Sequence, residues 1–223
     1  EQFELTDRIT VLRDGNLIGT IDTNDATADG LATMMVGKNI SAAFDTLISY
    51  DDKLRQKVGE REEYIDYLNK GISEYIVSLM ASEMSMDDSR KINGYYSIVS
   101  NLERIADHAV NIAEYADDMK KWDLQFSDNV LEELGEMKKQ CMASLDTIKE
   151  VTSENADDVL KQAAAMEQKN DNMRDKYFKK QMQRLKKGKC KPQSGIVFSE
   201  ILTDFERMGD HVLNIAQEYK EME

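Results

Sequence analysis

Two stretches, NLERIADHAVNIA (101–113) and DFERMGDHVLNIA (204–216), decide how this chain is read, because seven of their thirteen positions are identical at an offset of 103. The shared residues are Glu103/Glu206, Arg104/Arg207, Asp107/Asp210, His108/His211, Asn111/Asn214, Ile112/Ile215 and Ala113/Ala216. A weaker echo pairs Glu62 and Asp66 with Glu167 and Asp171 at an offset of 105. Two offsets so close imply one structural unit used twice, and a repeat decides architecture before local propensity does.

Working outward, every segment from Ile40 onward keeps a helical period. The pattern predicts helices at about 40–57, 60–83, 88–119, 128–152, 155–187 and 192–221. Asp87 or Asp88 and Ser127 are the expected N-caps. Gly188 is placed to end the fifth helix, and Pro192 suits the first turn of the sixth, where its missing N–H is unpaired anyway. The expected fold is all-α: two tandem three-helix bundles, repeat one at 40–121 and repeat two at 127–222, joined by the short loops that bundles prefer.

Residues 1–38 read differently. RITVLRDG and NLIGTIDT are rich in β-branched residues and meet at Asp14-Gly15-Asn16, a hairpin signal. TADGLATMMVG then reads as a short helix ending at Gly37. The division expected is therefore a hairpin and short helix at 1–38, followed by a helical domain at 39–223.

Composition agrees with helices: the 223 residues contain a single Pro and are 32% charged. The formal charge of −14 repels a phosphate backbone, so nucleic acid is excluded as a general partner, whereas a divalent cation is well matched. One basic run, Arg174 to Lys191, opposes that charge with nine Lys or Arg against one Asp. It reads as a solvated helix face, or as a contact for an anionic lipid surface or acidic partner. Cys141 and Cys190 stand in no metal-ligand spacing, which fits a reducing compartment. No apolar run reaches the roughly 18 residues of a membrane span, so the chain is expected to be soluble, or the soluble end of a membrane protein, with an upstream part before Glu1.

At 100° per residue, Glu103, Asp107 and Asn111 form one stripe, opposite the apolar Leu102, Ile105, Ala109, Ile112 and Ala113. Glu206, Asp210 and Asn214 repeat it opposite Met208, Val212, Ile215 and Ala216. The stripe is expected to point outward from its own bundle. Carboxylates four apart chelate a hard or borderline cation, and an amide one turn on adds a neutral oxygen. Residues alone leave two readings open, a cation site and a solvated acidic face. His108 and His211 flank the stripe as surface or hydrogen-bonded residues, or as occasional ligands. Arg104 and Arg207 are expected to neutralise neighbouring carboxylates. Ala106 and Gly209 are small enough to allow close helix approach.

Enzyme readings fail. Neither His has an acidic residue three before it, as a ferritin-like di-iron bundle requires, because Ile105 and Met208 stand there. There is no Walker-type phosphate loop and no nucleophile elbow.

EREEYIDYLNK, NLERIADHAVNIAEYA and RLKKGKCKPQSGIVFSEILTDFERMGDHVLNIAQ together resemble the PhoU family, within it the PhoU-like C-terminal domain of bacterial sodium/phosphate cotransporters, over residues 40–223. The resemblance implies two symmetric three-helix bundles, E-x-x-x-D motifs that bind divalent or trivalent ions such as iron or zinc, and regulation rather than catalysis. Carried over by motif, the metal ligands implied are Glu62 with Asp66, Glu103 with Asp107 and Asn111, Glu167 with Asp171, and Glu206 with Asp210 and Asn214. The partner implied is a membrane phosphate transporter or a sensor kinase, and the location is the cytoplasm or the cytoplasmic side of the membrane. A homodimer and a peripheral membrane contact stay open. Separately, FELTDRITVLRDGNLIGTIDTNDATADGLATMMVGKN resembles the stretch after the H-loop of a sugar-type ABC transporter ATPase; without Walker or signature motifs it cannot hydrolyse ATP alone.

Overall fold

The computed structural model describes residues 8–13, 16–22, 28–81, 83–152 and 154–222, with side chains from Val36 onward. Strands β1 (Arg8–Arg13) and β2 (Asn16–Asp22) pair antiparallel, from Arg8 opposite Asp22 to Arg13 opposite Asn16, with an irregularity between Val11 and Leu12. The Asp14-Gly15 turn signal lies outside the described residues.

Six helices follow: α1 (Ala28–Ile48), α2 (Asp52–Met80), α3 (Met86–Lys121), α4 (Asp128–Thr147), α5 (Ala156–Lys186) and α6 (Pro192–Glu221). The first three pack on one another as unit one and the last three as unit two, while α3 lies against α6 and α1 against α4. Two three-helix units therefore sit side by side about their central helices.

Four predicted boundaries move. The helix expected to stop at Gly37 continues as α1, because glycine ends a helix by taking the left-handed conformation at C′, whereas Gly37 keeps helical backbone. Here a Cβ at 37 would come 3.1 Å from Met142 Cε, so the missing side chain lets α1 and α4 approach. The break expected near residue 58 falls instead at residues 49–51, where the Asp51 carboxylate accepts from the Leu54 N–H at 2.8 Å and starts α2. Ser85, rather than Asp87 or Asp88, caps α3 by accepting from the Asp88 N–H at 3.1 Å. Helix α4 stops at Thr147, five residues short of the expected end at 152. Gly188 does end α5, with φ 63°, and Pro192 opens α6.

The core follows the apolar stripes. Ile98, Ile105 and Ile112 of α3 and Phe198, Ile201, Phe205, Met208, Val212 and Ile215 of α6 are all essentially inaccessible. Phe205 reaches across the units, its ring 6.4 Å from that of Phe44 on α1. Ala106, Ala109 and Ala113 keep α3 slim where it is buried. Part of the basic run also faces inward, since Lys180 and Arg184 pair with Glu133 of α4 at 3.0 and 2.8 Å.

Candidate metal centre

In unit one, α2 supplies Glu62 and Asp66 and the neighbouring α3 supplies Glu103 and Asp107. Spacing of four puts each pair on one helix face, and α2 packs directly on α3. Burial raises the pKa of Glu62, and the charges of Asp107 and Asp66 add to it. Glu103 is raised by burial first, then by the charge and hydrogen bond of Asp107. Asp107 is raised by burial and by Asp66, against the opposing pull of Glu103, His108 and Arg104. The expectation of an outward stripe is thus corrected. Glu103 and Asp107 are half-buried along the seam with α2, because a 36-residue helix flanked on several sides has little fully open face.

Unit two repeats the arrangement with Glu167 and Asp171 from α5 and Glu206 and Asp210 from α6. One oxygen each of Glu167, Asp171 and Asp210 lies within 4.8 Å of the others. Burial raises Glu167 and Asp210, and neighbouring carboxylates raise both further. Arg174 Nη2 meets Glu206 at 3.2 Å, and Arg207 stands 3.8 Å from Asp210 and 3.9 Å from Glu206. Arg207 thus neutralises as expected. Arg174 was hidden inside the basic run, and only the packing of α5 on α6 shows that, of that run's nine cations, it is the one that meets Glu206.

Asn111 and Asn214 do not join these groups, which corrects their expected role as ligands. Asn111 Nδ2 donates to Asp204 at 3.2 Å, and Asn214 Nδ2 donates to Asn101 at 3.3 Å. The histidines make the same crossing: His108 Nδ1 donates to Asp204 at 2.7 Å and His211 Nδ1 to Asn101 at 2.9 Å. Their rings stack 5.5 Å apart between the units. Burial is the main cause that lowers His211 from 6.5 to about 4, with the nearby His108, Arg104 and Arg207 charges contributing. Steps of about 80° for the asparagines and about 140° for the histidines round the helix carry these residues off the α2 or α5 side and onto the other unit. Asn101 and Asp204 were missed because the repeat does not preserve their identity; only their shared position in the two quoted stretches marked them.

Chemically, each unit therefore gathers four carboxylates, all oxygen donors, along a seam where burial and mutual repulsion disfavour the charged state of Glu62, Glu103 and Asp107 in unit one and of Glu167 and Asp210 in unit two. A hard or borderline cation relieves both costs at once, and oxygen donors suit it. The raised carboxylates and the convergence in unit two fit an ion held there by chain residues.

The family model described as PhoU domain matches residues 32–116 and 134–219. Among curated proteins, the chain is 26% identical over 186 residues to phosphate-specific transport system accessory protein PhoU homolog 1 of Thermotoga maritima, covering 82% of this chain and 79% of that protein. It is 24% identical over 189 residues to the PhoU homolog of Clostridium acetobutylicum, covering 82% and 83%. A short stretch of 44 residues is 46% identical to ribose import ATP-binding protein RbsA 1 of Burkholderia ambifaria, covering 20% of this chain and 8% of that protein. The crystal structure of PhoU from Pseudomonas aeruginosa superposes with a TM-score of 0.77 at 22% identity, over 87% of this chain and 93% of that one. The phosphate transport system regulatory protein PhoU of Streptococcus pneumoniae gives 0.73 at 20%, over 87% and 90%. Both likenesses show the two-bundle fold.

Proposed function

This chain belongs to the PhoU family, and from that membership we propose that it is a regulatory accessory of phosphate transport that binds metal ions and acts by contact rather than by catalysis. Relatives named as accessory proteins of a phosphate-specific transport system support the regulatory part. The single observation that carries the metal part is the pair of acidic groups, one in each unit and built from equivalent positions. Their donor sets contain oxygen only, which favours iron over zinc, since zinc prefers nitrogen and sulfur. Glu62, Asp66, Glu103 and Asp107 would hold one ion or cluster, and Glu167, Asp171, Glu206 and Asp210 the other.

The partner in this reading is a membrane phosphate transporter, of the sodium-dependent class suggested by the residue likeness, or a sensor kinase, met on the cytoplasmic side. Among the described residues no helix is long and apolar enough to cross a membrane. Residues 1–38 are read as an ABC-ATPase-like fragment preceding the PhoU-like part at 39–223, in line with the short match to a sugar-import ATP-binding protein. Metal analysis of natively purified protein beside Asp107→Ala and Asp210→Ala tests the proposal. Bound iron in the wild type, with part of it lost in each variant, is the result expected; equally negligible metal in all three removes the metal part.

A further inference from the structure

The two acidic groups occupy equivalent positions, yet their surroundings differ. At the spacing of 105 that relates Glu62 and Asp66 to Glu167 and Asp171, unit one has Ile65 where unit two has Asn170, and Asn69 where unit two has Arg174. Ile65 is an ordinary buried apolar residue. Asn170 is 0% exposed, and neither its amide nitrogen nor its amide oxygen has a hydrogen-bond partner. A buried amide left unpaired destabilises a fold that an isoleucine would satisfy.

The opposite helix is trimmed to admit this amide. Gly209 stands where unit one has Ala106, and a Cβ there would lie 2.3 Å from Asn170 Nδ2. Asp171 Oδ1 and Arg174 Nε are also buried without partners. Asn170, Arg174, Glu167 and Asp171 share one stripe about 100° wide on α5, so the unpaired atoms gather on the face that carries the carboxylates.

Charge differs as well. Arg174 pairs with Glu206, and Arg207 lies near Glu206 and Asp210, so the four unit-two carboxylates have two cations beside them. Among the described residues no ion pair reaches Glu62, Asp66, Glu103 or Asp107; the charge of Arg104, which stands where unit two has Arg207, still acts on Glu103 and Asp107, so the cation that unit one lacks is Arg174. Resting on the metal-binding reading above, we propose that unit two holds a single divalent cation between Glu167, Asp171 and Asp210, with the Asn170 amide oxygen as a further ligand and Arg174 filling the place that a second cation takes in unit one. The buried amide is then a metal ligand, and the guanidinium is a fixed counter-charge on Glu206.

The test uses the full chain, stripped with chelator and dialysed against Mn²⁺, with bound manganese counted per chain by elemental analysis. Glu103→Gln with Asp107→Asn leaves only unit two competent, and Glu206→Gln with Asp210→Asn leaves only unit one. The expected result is about one Mn²⁺ on unit two and about two on unit one; equal numbers overturn the proposal. In the chain with only unit two competent, Asn170→Ile and Arg174→Asn each introduce the residue that unit one carries. Asn170→Ile should raise the melting temperature without metal yet weaken Mn²⁺ binding by about tenfold or more. Arg174→Asn should tighten it by about tenfold or more and bring the count above one. A stabilised Asn170→Ile chain with unchanged Mn²⁺ affinity would mean that Asn170 only packs, and an unchanged count for Arg174→Asn would remove its role; either overturns the proposal. Wild type that takes no Mn²⁺ at all sinks the metal reading itself, a distinguishable failure.

Discussion

Asp204→Ala should be the most damaging single change at the seam between the units. The Asp204 carboxylate, buried with its side chain 8% exposed, accepts from His108 at 2.7 Å and from Asn111 at 3.2 Å, both belonging to the opposite unit. Truncation leaves two donors without an acceptor, and each buried orphan costs roughly 1–3 kcal/mol. His108 is 22% exposed, so water recovers part of its loss and the sum comes to about 2–4 kcal/mol. Asp204→Asn keeps an oxygen in place, as Asn101 does for His211 and Asn214, and should cost under about 1 kcal/mol. Chemical denaturation with chelator present measures both without a contribution from bound metal. Should Asp204→Ala fall within about 0.5 kcal/mol of wild type, or should Asp204→Asn cost as much as Asp204→Ala, the cross-unit hydrogen bonds do not hold the seam.

Two glycines give a matched pair. Gly188 has φ 63° with open space around it, so Gly188→Ala should destabilise by about 1–2 kcal/mol through backbone strain alone, whereas Gly71, mid-helix with nothing within 4 Å, should gain about 0.5–1 kcal/mol as Ala; thermal melts that reverse this order refute the assignment. For pH, Glu103 and Asp107 have raised pKa values in the folded chain, chiefly through burial. The native state therefore binds protons more tightly than the unfolded state, and metal-free stability falls as pH rises through and above the ordinary carboxylate range. Relative to wild type, metal-free Glu103→Gln with Asp107→Asn should be more stable near neutral pH, and the gain should fade on acidification; a difference that does not change with pH contradicts the crowding described.

Much of this was legible in the chain because it rests on periodicity. The seven identities at one offset were enough to expect two equivalent units, and α6 begins at Pro192 and ends at Glu221 as its pattern says. What escaped depends on contacts between distant segments. Gly37 looks like a helix end until α4 arrives against it. Asp51 ends up capping α2 although the apolar period runs on through that point. Asn111 and Asn214 share the acidic stripe in projection, but a helix has more than two sides, and the third here belongs to the other unit. Arg174 and Asn170 could not be singled out by residue type, since one sits in a run of cations and the other in a polar helix. Their meaning comes from burial.

Crystals of the chain soaked in Mn²⁺ and measured for anomalous scattering would test the metal assignment most directly. Peaks should stand between Glu167, Asp171 and Asp210 in unit two and beside Glu62, Asp66, Glu103 and Asp107 in unit one. Soaked crystals with no peak at either seam, or with peaks only on exposed carboxylates elsewhere, would contradict it.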